Sequence, residues 1–193
     1  MAHGTNLDCL KGDQRTIEYR DWSVWLSSLA TLVSRFDTEV EDDALAYNET
    51  ASVSMLAGAA ALAGFLGLAE FYTVKGRKTD RRFAADGRCD FWMASDDRSW
   101  GFEFKQRTPA RLTPSIPERA MEEAHDCARG LRRTEANRRV AGLIVSLFKI
   151  DDDELDAARE LLRAFARRRD FAWELRGRGG CASDTFLFFD LIA

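Results

Sequence analysis

The sequence predicts an α/β fold, a three-layer sandwich in which helices cover both faces of a mixed central sheet. Three observations lead there. Segments with helical periodicity alternate with short strand-like runs, so neither an all-helical nor an all-strand architecture fits. Two strand-like runs, Arg88–Ala94 and Trp100–Gln106, are separated only by "SDDRS", which makes them an antiparallel hairpin. A third, "VAGLIVSLF" at Val140–Phe148, is continuously apolar, as in a strand buried on both faces. With 193 residues, 46% of them apolar, the chain is long enough for one well-filled core and short for two comparable ones.

The elements follow in order. Trp22, Trp25, Leu26, Leu29, Leu32, Val33 and Phe36 recur at helical spacing. Residues 1–38 therefore read as an N-terminal helical extension, and residues 39–193 as the main domain. The acidic cluster Glu39–Asp43 suits the positive end of a following helix, expected over Asp42–Leu68. "EFYTVKG" (Glu70–Gly76) alternates like a strand, and "RKTDRRFAADG" reads as a polar loop before the hairpin. Prolines 109, 114 and 117 interrupt regular structure, after which residues 117–139 look helical, with Pro117 in the first turn. Asp151–Arg169 is an amphipathic helix with acids first and arginines last, matching the helix dipole. "FAWEL" and "TFLFFDLIA" close the sheet.

Charge and composition narrow the partners. The net charge of −4 conceals 4 Lys/Arg against 11 Asp/Glu in residues 1–70, and 16 against 11 in residues 71–139. An acidic chain can thus still present a basic face to a phosphate backbone. From Thr50 to Ala69 twenty residues pass without a charge, long enough for a membrane span. Ala, Gly and Ser supply more than half of them, and no basic or aromatic anchor flanks the stretch, so a buried core helix is expected and no membrane partner. Four scattered cysteines without a CxxC pair, and an N-terminus without a signal-like pattern, point to reduced thiols and a cytoplasmic location.

The segment "WGFEFKQ" places two charges in an aromatic strand. Residues i and i+2 share a strand face, so Glu103 and Lys105 point one way while Phe102 and Phe104 point the other. Asp90, on the other strand of the hairpin, comes level with this pair. Such a group admits two readings: a partly buried salt-bridge cluster, costly to desolvate, or a divalent-metal site. In the second, Asp90 and Glu103 supply hard oxygen ligands to Mg²⁺ or Mn²⁺, and Lys105 orients or deprotonates a water or stabilises phosphate charge. Ahead of the hairpin, Lys75, Arg77, Lys78, Arg81 and Arg82 form a basic run placed to grip backbone phosphates, or else a solvated loop. Trp92 and Trp100 are expected to face one another across the hairpin as core packing. His125, on a charged helix, is expected to be a surface histidine.

Asp90, twelve further residues and then Glu103-x-Lys105, on consecutive strands after a helix, resembles the PD-(D/E)xK, or restriction-endonuclease-like, phosphodiesterase superfamily. The expected order of elements from residue 42 to residue 148 is similar to its αβββαβ core. The resemblance implies a metal-dependent phosphodiester hydrolase, with nucleic acid as partner and DNA as the expected substrate. It implies Asp90 and Glu103 as metal ligands, Lys105 as the catalytic lysine and an additional glutamate from the first helix. Glu49 is the best match for that glutamate, and Glu70, at the entry to the first strand, is the rival. Gln106 resembles an accessory residue beside the site. Cys89 stands where the pattern has proline. The alternatives are a non-catalytic nucleic-acid- or protein-binding domain of the same fold and a subunit or effector in a defence or mobile-element system. The Trp22/Trp25 face is expected to dock on the chain's own core, with a homodimer through it as the alternative.

Overall fold

The structure, a computed structural model, describes residues 5–76, 84–177 and 180–193. It contains β1 (Asn6–Lys11), α1 (Ile17–Val40), α2 (Glu49–Leu62), β2 (Leu66–Gly76), β3 (Ala84–Ala94), β4 (Ser99–Arg107), α3 (Ser115–Gly130), β5 (Arg138–Ser146), α4 (Leu155–Ala166), β6 (Phe171–Arg176) and β7 (Thr185–Ile192). The strands form one mixed sheet in the order β1-β6-β7-β5-β4-β3-β2. The β4–β5 pair is parallel and the other neighbouring pairs are antiparallel. Helices α1 and α2 share an aromatic core with one face of the sheet, while α3 and α4 share an aliphatic one with the other.

Helix α1 begins where the Thr16 hydroxyl accepts the amide of Tyr19 at 3.1 Å. Its apolar stripe drives Trp22, Trp25, Leu26 and Leu29, all fully buried, onto the sheet. There Trp22 meets Phe171 and Phe189 with ring centroids 5.0 and 5.1 Å away. Residues read from sequence as an extension thus supply the edge strand β1 and a central part of the core. The Trp22/Trp25 face is filled by the chain's own sheet rather than offered to a second copy.

Helix α2 is shorter than its pattern suggests. Asn48 caps its start, accepting from Ala51 N at 2.9 Å. At the other end Gly64 adopts φ +86°, and the Phe65 and Gly64 amides bond back to Ala60 and Ala61 carbonyls. This is a left-handed glycine stop that a run of alanines does not announce. The chain then turns directly into β2 at Leu66, so the uncharged stretch is divided between helix and strand. Among the described residues no helix is long and apolar enough to cross a membrane. The small residues bring β2 close to α2: a Cβ placed on Gly67 would lie 3.2 Å from the Ala60 Cβ.

Four other expectations need correction. Helix α3 ends at Gly130 rather than 139, because Arg138 and Arg139 already pair with Trp100 and Gly101 in the sheet. Residues 84–87, read as loop, extend β3 and pair with β2. Trp92 and Trp100 occupy opposite faces, since Trp92 is level with Gly101 and Trp100 with Met93. Trp100 lies in the aromatic core, whereas Trp92 Nε1 donates to Glu135 O at 3.0 Å. The acidic residues 151–154 form a turn ahead of α4 rather than its first turn.

In the middle of the sheet Phe104 is level with Gly142. A Cβ on Gly142 would collide with the Phe104 ring. Gly142→Ala is therefore expected to destabilise the fold by about 1–3 kcal/mol through overpacking, and Trp22→Ala by about 3–5 kcal/mol through loss of a fully buried indole. Denaturant unfolding of both variants checks these values.

Candidate functional site

The charged half of "WGFEFKQ" lies where β4 separates from β3. The β3–β4 ladder ends at Phe91 and Phe102. The next inward-facing amide, that of Phe104, donates to Asp90 Oδ2 at 2.7 Å, so a carboxylate takes over where a backbone carbonyl would have continued the ladder. Asp90 is thereby fixed level with the Glu103–Lys105 pair, as the hairpin count predicts.

Glu103 and Lys105 face the α3 side of the sheet. Their partners on β5, Ala141 and Leu143, belong to the aliphatic core, while Phe102 and Phe104 stack on the aromatic side with centroids 5.7 Å apart. Glu103 is only 2% exposed, and Lys105 reaches outward with its side chain 23% exposed.

Glu49, the first residue of α2, completes the group. Its Oε1 lies 3.4 Å from Lys105 Nζ, and its Oε2 accepts the Gln106 backbone amide at 3.0 Å. Lys105 Nζ also donates to Phe104 O at 2.7 Å, which directs the ammonium toward the end of the strand. The Gln106 side chain in turn donates to Leu45 O at 2.9 Å, tying β4 to the loop that leads into α2. Glu49 and Gln106 thus join the Lys105 cluster. Glu70 does not: it lies on the edge strand β2 with φ +53°, and its carboxylate pairs with Arg88 at 3.5 Å. Its backbone conformation, rare for a glutamate, coincides with the gap in register between Ala69–Phe91 and Phe71–Cys89.

Burial alone would favour neutral Lys105, but the charges of Glu49, Cys127 and Asp90 outweigh it and raise its pKa above the ordinary lysine value. Lys105 is therefore an ammonium at neutral pH, suited to stabilising negative charge rather than to taking up a proton. Cys127 escaped the sequence reading. It sits on α3, whose Glu123 meets Arg107 at 2.5 Å and whose next residue past the helix, Leu131, packs against Gly101. Midway between those two contacts, Cys127 comes level with Lys105. The Ala120/Ala124/Ala128 stripe foretells that α3 packs on the sheet, but not which turn meets which strand residue.

The donors near Lys105 are hard carboxylate oxygens from three separate elements. Among the described residues no three His, Cys, Asp or Glu side chains converge into a closed cage. The side chain of Lys75, and Arg77, Lys78, Arg81 and Arg82 entirely, lie outside the described residues. The strand ends that flank this run, Gly76 and Ala84, are paired at the same end of the sheet as the finish of β4. His125 is not at the site: its Nε2 lies 2.8 Å from Asp190 Oδ2. Comparison with known protein families, curated proteins and solved structures finds no match to the chain.

Because the Lys105 pKa is raised, the pair with Glu49 stabilises the fold fully below the unfolded lysine value of about 10.4, and this contribution is lost as pH rises through the higher folded value. Glu49→Gln is expected to lower the Lys105 pKa and to flatten that alkaline decline. NMR titration of the Lys105 side chain, with denaturant unfolding at several alkaline pH values, reads both.

Proposed function

We propose that the chain is a divalent-metal-dependent phosphodiesterase of the PD-(D/E)xK type, acting on nucleic acid with DNA as the expected substrate. The observation that carries this reading is the charged Lys105 ammonium at the end of an aromatic strand, with Asp90 and Glu49 brought to it from two other elements. A salt bridge alone requires one partner, and the additional carboxylates favour a site. The order α2-β2-β3-β4-α3-β5, with β4 parallel to β5, supports the same reading as a restriction-endonuclease-like core.

The donor set suits a hard cation. With Asp90 and Glu103 as protein ligands and no closed cage, most coordination positions would fall to water and phosphate oxygens, as is usual for Mg²⁺. When bound, Mg²⁺ or Mn²⁺ would supply Lewis-acid stabilisation of the phosphoryl oxygens. The chain's own contribution is electrostatic. Among the described residues two of the three Lys105 N–H donors are engaged, by Glu49 and Phe104 O, and the third would meet the charge that develops on a phosphate oxygen. Glu49 and Gln106 would hold that lysine and its strand end in place. The basic residues Lys75, Arg77, Lys78, Arg81 and Arg82 would lie along the substrate's backbone.

A non-catalytic binding domain is the second reading, and the direct Lys105–Glu49 ion pair is the contact that favours it. Incubation of the purified chain with plasmid and linear DNA in Mg²⁺ or Mn²⁺ distinguishes them. Nicking or cutting is expected, with a loss of about 100-fold or more in both Asp90→Ala and Lys105→Ala. Cleavage at undiminished rate in both variants would remove the assignment; DNA retention without cleavage by the unaltered chain would favour the binding domain.

A further inference from the structure

At the other end of the sheet, where β4 and β5 begin, the chain forms a second charged concavity. A cavity of about 520 Å³ opens between the end of β1 and the segment joining α4 to β6. Lys11, Arg167, Arg168 and Arg169 line it, against two carboxylates, Asp13 and Asp170. Both carboxylates are committed elsewhere: Asp13 holds Arg15 at 2.9 Å, and Asp170 Oδ2 accepts the Leu191 amide at 2.8 Å.

The cations divide into two kinds. Arg168 is paired with Glu118 at 3.0 Å and Arg169 with Asp190 at 2.7 Å. The Arg169 guanidinium also lies 4.6 Å from the Phe165 ring centroid, which holds its plane in place. Lys11 and Arg167, in contrast, have no ion-pair partner among the described residues. An arginine after α4 is explained by the negative end of that helix, but Lys11 comes from a different element, and the dipole gives no reason to bring it to the same cavity. With Arg168 and Arg169 already paired, Lys11 and Arg167 are, among the described residues, the two uncompensated cations at one concavity, and a compact anion relieves their repulsion. A recess of this size has room for a terminal phosphate or a nucleoside monophosphate.

We propose that this cavity is a binding site for a compact phosphate-bearing ligand, gripped by Lys11 and Arg167, with Arg168 and Arg169 as its preset wall. It is independent of the Asp90/Glu103/Lys105 site and does not rest on the function proposed for it. Calorimetric titration of the full chain at low ionic strength with inorganic phosphate and with adenosine monophosphate tests it. Binding with a Kd below about 1 mM is expected, unchanged in Lys105→Ala and weakened at least tenfold in the double variant Lys11→Ala/Arg167→Ala. Tighter binding of the nucleotide than of phosphate identifies a nucleotide as the ligand, and equal binding identifies the phosphate group alone. No binding by the unaltered chain, equal binding by the double variant, or loss of binding in Lys105→Ala overturns the proposal. Amide chemical-shift mapping on the unaltered chain gives the answer without substitution: shifts must cluster at residues 11–13 and 167–171, and clustering at residues 103–106 overturns it.

Discussion

The Phe104 ring lies over Gly142 with no room for even a methyl group between them, and the parallel register of β4 and β5 depends on that contact. A slip of one residue would bring Ala141 or Leu143 beneath the ring and turn Glu103 and Lys105 into the aromatic core, because successive strand residues face opposite ways. The same register commits α3 to one face as the crossover between two parallel strands. It leaves the other face to α1 and α2, and the two tryptophans of α1 fill the space above Phe91, Phe102 and Phe189. The aromatic residues of "WGFEFKQ" therefore position the charges by anchoring the opposite face of the same strand.

A second set of constraints acts on the end of the sheet where the candidate site lies. Carboxylates there are bonded to backbone amides of loops that would otherwise have no ladder. Asp43 accepts from Leu45 N and Ser183 N, both at 2.9 Å, so the loop before α2 and the loop between β6 and β7 share one buried acid. Asp37 accepts from Ala182 N at 3.1 Å and Asp184 from Gly177 N at 3.1 Å. A hydrogen bond to a charged group contributes about 1.5–3 kcal/mol, enough to keep an irregular segment in one arrangement. The loop that carries Glu49 to Lys105 is fastened in this way at Leu45, by Asp43 on its amide and by Gln106 on its carbonyl. Glu49 is thus held at the site both directly, by the Gln106 amide, and through the loop that precedes it.

Asp90 shows how one group serves structure and chemistry together. Its carboxylate replaces a missing ladder partner for Phe104, which allows β3 and β4 to part without stranding a buried amide. Lys105 and Glu49 meet beyond this end of the ladder.

Much of this was written in local pattern. Apolar periodicity of 3.6 or 2 marked the helices and strands, and the i, i+2 rule placed Glu103 and Lys105 on one face. The hairpin count brought Asp90 level with them. What stayed hidden depended on contacts between elements distant in the chain. Whether Glu49 or Glu70 meets Lys105 turned on the glycine stop at Gly64 and the register gap at Glu70, neither of which apolar periodicity can express. That Cys127 stands beside Lys105 and that Lys11 and Arg167 line one cavity are consequences of strand order and helix level. Sequence patterns report which side of an element is apolar; only the packed chain decides what that side touches.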